Sequence, residues 1–442
     1  MTPPPTLLGA GERPACSSAP AIKAPTHAYV LILFTALAFL YQLDRNVIYV
    51  TQELIKTEYK LTDTEVGVIT SLAFGVANAF AGFPLGWLND RVNRVKLLSI
   101  CVMGWSALTA SCAVAGNFAS LFLARFGTGA TEAGGTPISL SLLTDLYPPE
   151  QRASKIGITS AGYGIGTVVS SLGGSYVAAH YGWRAAFLIC GAPGVLLGLL
   201  LLMTMKEPAR THVDDQPPIG VRALPKAILQ LLVQPGLRVV FLGTTLTSMT
   251  SAGVAGWWVS FMMRAHHLSL PSAGLISTVS LGVCAIGGTI AGGYATDFAR
   301  RRLPGAAGPL LVIAAISLIN LVFASIALWT PNTAVMIATL CAVGATASAF
   351  LGPRGAALSE LAPPHLRGLT FSIPMALSSL IGLSIGGVMV GMLSDFVAGA
   401  IKGVEPLRLA MFIVLLVHIP VAVLYATTAV RMIRRARRAE TA

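Results

Sequence analysis

Long apolar stretches without charge recur along the whole sequence, and they constrain its fold more than any other feature. Residues 185–205, 307–329 and 409–430 are three of them. A helix that crosses a bilayer needs about 20 mainly apolar residues. Only 11% of the 442 residues are Asp, Glu, Lys or Arg, and the mean hydropathy is +0.73. A soluble protein of this length carries about a quarter charged residues. The sequence therefore predicts an all-α, multi-pass membrane protein, and it excludes a cytosolic enzyme, a secreted disulfide scaffold and a disordered tail protein.

The apolar stretches predict twelve transmembrane helices in two six-helix halves. Their expected starts lie near residues 28, 63, 95, 118, 154, 184, 237, 272, 308, 334, 368 and 406. The expected organisation is a tail over 1–27, an N-terminal half over 28–205, a linker over 206–236, a C-terminal half over 237–431 and a basic tail over 432–442. Within the linker, apolar residues at helical spacing from Leu224 to Leu232 fit either a short amphipathic helix on the membrane surface or a simple connection.

The distribution of Lys and Arg predicts the orientation. Most basic residues outside the spans fall in the two termini and in the even-numbered loops, which places both termini in the cytosol. The arginines from Arg431 to Arg438 would then face anionic lipid on the cytosolic side. The net charge of +12 therefore needs no nucleic-acid partner. We expect a monomer in the cell inner (plasma) membrane.

The two halves repeat each other. Residues 61–90 align without a gap on residues 268–297, and 143–152 align on 358–367 with a shared Pro-Pro pair. Six spans in each half with the same orientation give a parallel repeat about an axis along the membrane normal. This arrangement predicts the major facilitator fold, with the substrate site between the halves.

The loop after the second span carries a charged motif. Residues 86–96 resemble the G-x3-D-R-x-G-R-[RK]-[RK] loop of the major facilitator superfamily, with Asn93 in place of the second Gly. We expect these residues, with charges after spans 4, 8 and 10, to act as a gate at the cytosolic helix ends, and Gly86 to allow close helix packing. The alternative is that the basic residues only anchor the loops. The expected gating residues are Gly86, Asp90, Arg91, Arg94, Asp145, Arg152, Asp297 and Arg367.

Five ionisable residues lie inside predicted spans, namely Asp44, Arg45, Arg125, Glu132 and Arg354. Each costs about 2.5–3.5 kcal/mol at a helix centre on insertion scales, so they should line a polar cavity. The alternative is that they pair only to hold helices together.

The depth of each charge suggests a role. Asp44 and Arg125 lie at similar depth, so they are an expected pair, and Glu132 is about 10 Å deeper than Arg125 along the same face. Arg45 and Arg125, with Tyr41 beside them, are the expected binding residues for a substrate anion. Asp44 and Glu132 are the expected proton carriers. The role of Arg354 stays open.

Several motifs resemble the Spinster family of lipid transporters. They are Leu43-Asp44-Arg45, Asp90-Arg91-Val92-Asn93-Arg94, Arg125-x3-Gly129-x-Thr131-Glu132-Ala133, Pro148-Pro149-Glu150-Gln151-Arg152, Gly182-Trp183-Arg184 and Glu207-Pro208. Thr131 stands where that family has a Gly. The resemblance covers residues 40–210, and it implies proton-coupled transport of an amphipathic anion such as a lysolipid or a sphingoid phosphate. The acidic-Arg pair in span 1 and the Arg…Glu pair in span 4 also resemble the anion:cation symporters, which implies a small sugar acid instead.

A membrane enzyme or a lipid-sensing receptor is the alternative from another class. The sequence holds no nucleophile motif, nucleotide-binding loop, metal-binding pattern or large soluble domain to favour it. We therefore expect no cofactor, and an organic anion, protons and membrane lipids as partners.

Overall fold

The computed structural model describes residues 24–208, 224–363, 366–401 and 403–440, and every regular element within these ranges is a helix. The predicted all-α class is therefore confirmed. Most of the N-terminal tail and the middle of the linker, residues 209–223, lie outside the described residues.

Within the described residues, eight α-helices precede the linker. They are α1 (Ala24–Tyr59), α2 (Asp63–Gly67), α3 (Ala73–Asn89), α4 (Arg94–Ser111), α5 (Phe118–Glu132), α6 (Gly135–Leu146), α7 (Pro149–Val169) and α8 (Ser175–Thr204). Capping residues in the local sequence explain where several of these helices begin. Thr62 and Glu65 form a capping box at α2, and the Asn117 side chain accepts a hydrogen bond from the backbone of Ser120 at α5.

The linker ends in α9 (Leu224–Val233), and the C-terminal half follows. Its helices are α10 (Pro235–Ala255), α11 (Trp258–Ala265), α12 (Leu270–Ser277), α13 (Cys284–Arg300), α14 (Ala307–Trp329), α15 (Thr333–Ala349), α16 (Leu351–Leu361), α17 (Arg367–Leu377), α18 (Ser384–Ala400), α19 (Pro406–Leu415) and α20 (His418–Glu440). On α9, Leu231 is fully buried while Leu229 is 61% exposed, so the helix has the two-sided character of an amphipathic helix. The chain bends by 95° between α9 and α10.

Nine helices in the described ranges are long and apolar enough to cross a membrane, or ten if the bent pair of α9 and α10 counts as one span. One of the nine, Glu150–Thr204, has 55 residues, far more than the roughly 20 that a single crossing needs. Gly182 interrupts it with a φ of 83°. The segment over α5 and α6 is not among the nine, because Ala133 and Gly134 divide it into two short helices. The count of twelve spans therefore stays a prediction.

Four π-helical segments repeat between the halves. They are Val68–Leu72, Ser170–Gly174, Thr278–Val283 and Ser378–Leu383, each placed between two α-helices of one long helical segment. Every one of them contacts a helix of the opposite half: α18, α12, α7 and α3 respectively. π-Helical turns loosen the regular backbone ladder and often mark functional positions. The two halves therefore meet along their least regular helices.

Candidate functional site

Asp44 and Arg45 are neighbours on α1 but point towards different helices. Asp44 is fully buried, and the Ser106 hydroxyl on α4 donates a hydrogen bond of 3.1 Å to its Oδ2. Arg45 instead reaches α5, where its Nη1 lies 3.8 Å from Oε1 of Glu132. Consecutive helical residues diverge by about 100°, which explains the separation.

The ion pair in this cluster joins Arg45 to Glu132, whereas the sequence favoured Asp44 with Arg125. Within the described residues, no ion pair within 4 Å joins Asp44 to Arg125. The side chain of Arg45 is 27% exposed and that of Glu132 is 0% exposed. Arg45 therefore holds a buried carboxylate on one side and keeps part of its guanidinium open on the other.

Phe74 on α3 lies between Arg45 and Arg125. The guanidinium carbons of Arg45 and Arg125 each lie 5.2 Å from the centroid of its ring. Arg125 is 1% exposed, and its Nε and Nη1 have no hydrogen bond in the described part of the chain. An aromatic ring attracts cations without neutralising them. The two arginines therefore keep donors available for an anion.

An aromatic wall closes the cluster beside Tyr41. The Tyr41 ring meets Trp105 and Tyr163 edge to face, at centroid distances of 6.0 and 5.5 Å. Arg45 Nη1 donates a hydrogen bond of 3.3 Å to the Tyr41 hydroxyl. Phe74, Trp105 and Tyr163 escaped the sequence analysis because an aromatic residue in a span looks the same whether it packs or lines a site. We call the following six residues the site cluster: Tyr41, Asp44, Arg45, Phe74, Arg125 and Glu132.

The Thr131 substitution in the Spinster-like motif is matched by a glycine on the facing helix. A Cβ atom added to Gly104 on α4 would lie 3.0 Å from Cγ2 of Thr131. We expect Gly104→Ala to lower the free energy of unfolding by roughly 1 kcal/mol relative to Gly82→Ala, where an added Cβ meets nothing within 4 Å. Both changes gain the same helix propensity, so thermal unfolding of the two variants isolates the clash. Equal melting temperatures would contradict this contact, and Thr131→Ala should rescue Gly104→Ala.

The charged loop motif is held mainly by one buried arginine. Arg94 donates hydrogen bonds to Asp145, to Ser141 at 3.0 Å and to Glu207 at 2.7 Å, and none of these three partners lies in the C-terminal half. The Arg91 guanidinium carbon lies 4.2 Å from the centroid of the Trp87 ring. Glu207 was not among the expected gating residues, although it belongs to the Glu-Pro motif.

The remaining expected gating residues lie outside the hydrogen-bond network of Arg94 described above. Asn89 donates to Asp90 Oδ1 at 3.3 Å, and Arg152 Nε donates to the Tyr147 carbonyl at 3.0 Å. In the second half, Arg367 begins α17 and Asp297 lies in the last turn of α13. The expectation that Gly86 allows close helix packing is wrong, because an added Cβ there meets nothing within 4 Å. The gating role itself stays a prediction.

A second charged cluster joins the two halves at the end of the bundle where α1 ends and α2 begins, which we call the far end. Arg264 on α11 donates paired hydrogen bonds of 2.9 and 3.0 Å to Glu53 and of 2.9 and 2.8 Å to Asp63. Asp63 also accepts from Ser394 at 2.6 Å, and Asp395 accepts from the Thr64 amide at 2.8 Å. The far-end cluster is Glu53, Asp63, Thr64, Arg264, Ser394 and Asp395. It closes this end of the molecule with charge-assisted hydrogen bonds.

Arg354 lies apart from both clusters. It lines a cavity in the C-terminal half together with residues of α10, α14, α15 and α20. Among the described residues, no group of three or more His, Cys, Asp or Glu side chains could hold a metal ion.

Comparison with known proteins identifies the fold. The Major Facilitator Superfamily model matches residues 34–249. A solved structure of a bacterial homologue of the human lysosomal transporter Spinster, in an inward-facing conformation, superimposes with a TM-score of 0.81 and 27% identity, over 94% of this chain and 99% of that one. The chain belongs to the major facilitator superfamily. It resembles the Spinster members of that superfamily, as the motifs in its N-terminal half predicted.

Curated relatives are transporters as well. An MFS-type efflux pump of Mycolicibacterium smegmatis is 26% identical over 356 residues, which is 80% of this chain and 81% of the pump. A hexuronate transporter of Bacillus subtilis is 25% identical over 276 residues, 62% of this chain and 65% of that one. The major facilitator protein described here is therefore a multi-pass membrane transporter.

Proposed function

We propose that this major facilitator protein is a proton-coupled transporter of an organic anion, working by alternating access with twelve spans and cytosolic termini. The observation that carries the proposal is the site cluster. It combines two arginines that keep free donors with two fully buried carboxylates in one group of neighbouring side chains. A guanidinium stays charged and binds carboxylate or phosphate in a bidentate way, so Arg45 and Arg125 suit an anionic head group.

The proton would travel on Glu132 and Asp44. Glu132 has 0% of its side chain exposed, its oxygens lack hydrogen bonds of normal geometry within the described residues, and its one ion pair is long. When an anion draws Arg45 away from Glu132, the carboxylate loses its counter-charge, and proton uptake then becomes favourable. Anion binding and proton binding would thus support each other, as symport requires.

Alternating access is supported by how the halves meet. The π-helical segments that contact the opposite half occur in corresponding positions of the two repeats, and the far-end cluster fastens one end. Opening that end needs the release of Arg264 from Glu53 and Asp63 and of the hydrogen bonds that Ser394 and Asp395 make to α2, while the packing within each half can persist.

Two classes of anion are candidates for the substrate. An amphipathic anion with a phosphate or carboxylate head is favoured by the similarity to Spinster over most of the chain. A small sugar acid is favoured by the relative named as a hexuronate transporter and by the shared charge pattern of spans 1 and 4. Purified protein in liposomes with an internal pH-sensitive dye, challenged with sphingosine 1-phosphate, lysophosphatidate, D-galacturonate and D-galactonate, separates them. Inward proton flux on addition of one class identifies it, and no flux with any anion contradicts the proposal.

Arg45→Lys should lower the initial rate of anion-driven proton flux by about tenfold, because a point charge cannot reproduce the guanidinium fork. The lysine keeps the positive charge, so general electrostatics is preserved. Lys226→Arg, at an exposed position on α9, is a matched exchange of the same two residue types outside both charged clusters. A full rate for Arg45→Lys would remove bidentate binding by Arg45 from the mechanism.

A further inference from the structure

The C-terminal half contains a polar recess that no part of the proposed proton and anion pathway uses. Four hydroxyl residues of α10 line it, together with Arg354 from α16 and Tyr425 from α20. The hydroxyl residues, at 244, 247, 248 and 251, recur at helical spacing and therefore share one face of α10. Such a stripe of hydroxyl groups facing an arginine is unusual within an apolar helix bundle.

Arg354 is a cation without a counter-charge. In the residues that the structure describes, no carboxylate lies within 4 Å of its guanidinium, and Tyr425 lines the same recess. Of the other arginines within the predicted spans, Arg45 has Glu132 as a partner, and Arg125 has the Phe74 ring beside its guanidinium. A charged side chain in a membrane-spanning segment normally faces a polar cavity and has a partner. An anionic group that enters the recess would therefore supply the counter-charge that Arg354 lacks among the described residues.

The recess also offers unused hydrogen-bonding capacity and room. The Thr244 hydroxyl is buried without a hydrogen bond of normal geometry among the described residues. The cavity measures about 130 Å³. A water molecule needs only about 10–15 Å³ of such space, so a carboxylate or phosphate group with some of its water fits, whereas a lipid tail does not. Leu351, one turn before Arg354, is 52% exposed, so the recess has an open side.

We propose that this recess is an oxyanion subsite, in which Arg354 and the α10 hydroxyl groups bind a carboxylate or phosphate group of the transported anion. The proposal rests on the proposed function and adds the C-terminal half to it. One arginine site in each half gives the substrate anion a partner on both sides of the interface. An anion held from both halves can draw them together, which is what couples binding to the change of access.

The test measures binding, not transport. Protein in nanodiscs of zwitterionic lipid is titrated with dodecyl phosphate, D-galacturonate and inorganic phosphate, with microscale thermophoresis as the readout. Arg354→Gln should weaken the tightest probe about tenfold or more, as expected for loss of a charged hydrogen bond. Arg354→Lys should lose less. Arg238→Gln is the matched control, because Arg238 is an exposed arginine on α10 outside this recess, and it should bind within twofold of the unmodified protein.

Thr244→Val supplies a second variant that keeps the helix shape. It removes a buried hydroxyl without a normal hydrogen bond, so the protein should melt no lower than the unmodified chain while binding the probe about threefold more weakly. The three probes also show whether the recess binds free phosphate or the head group of an organic anion. Inorganic phosphate should displace the organic probe from the unmodified protein, and it should fail to displace the probe from Arg354→Gln. Unchanged affinity in Arg354→Gln, with transport intact, overturns the subsite alone. No binding and no transport of any probe by the unmodified protein overturns the subsite and the proposed function together.

Discussion

Glu132→Gln abolishes accumulation of the anion driven by a pH gradient, while exchange of labelled for unlabelled anion continues. The amide fills the same volume beside Arg45 but can neither release nor take up a proton. Arg45 then loses its one close counter-charge, so the anion should bind at least as tightly as before. Reconstituted protein should therefore exchange the anion across the membrane without accumulating it, and this result separates proton coupling from substrate binding.

Two comparisons make this result specific. Glu150→Gln makes the same chemical change at an exposed position in the first turn of α7, and it should accumulate anion normally. Asp44→Asn combined with Glu132→Gln removes both buried acids of the site cluster. Full accumulation by the double variant would show that the proton takes another route or that transport is not coupled to protons.

The sequence predicted the helices well because apolar length is a local property. The expected starts at 63, 118 and 406 coincide with α2, α5 and α19, and Gly182 interrupts the chain close to the expected start at 184. The buried charges were equally visible, since a charge within an apolar stretch is rare for a physical reason. Glu132 and Arg45 therefore stand out from the amino-acid sequence alone.

The sequence could not predict which residues contact each other in the fold. Asp63 and Arg264 are 201 residues apart in the chain, and each resembles an ordinary charge at a helix end. Only the packing of one half against the other shows that they bind each other. The pairing of Arg45 with Glu132 in place of Asp44 with Arg125 has the same origin, because helix rotation and the reach of long side chains decide it. Gly86 illustrates the reverse case, in which a residue of the superfamily motif has open space where the sequence suggested close contact.

The second large effect concerns the far end. Arg264→Gln removes the cation by which α11 of the C-terminal half holds Glu53 and Asp63 of the N-terminal half, and it leaves both carboxylates without that partner. The side chains of Arg264 and Asp63 are 18% and 5% exposed, so solvent screens this pair only partly. Breaking a buried ion pair by removing one partner costs about 3–5 kcal/mol. Even the lower value corresponds to a change of more than about 100-fold in the ratio of closed to open molecules at this end.

The measurement is the distance between spin labels at Thr57 and Ser272, exposed residues of the two halves at this end, in a background without native cysteines. In Arg264→Gln the distribution of distances between the labels should move to longer values, while that of the unmodified protein stays at short values.

Arg184→Gln is the matched control. Its ion pair with Glu58 lies within one half, and the two side chains are 42% and 41% exposed. Such exposed pairs contribute about 0–1 kcal/mol. Its distribution should remain that of the unmodified protein. If Arg264→Gln also kept the short distance, closure of the far end would depend on the remaining contacts between α2 and α18, including the hydrogen bonds of Ser394 and Asp395, instead of on this arginine. Lys56 also donates a hydrogen bond to Asp63. Because Lys56 makes one such hydrogen bond and Arg264 makes four to Glu53 and Asp63, Lys56→Gln should shift the distance distribution less than Arg264→Gln.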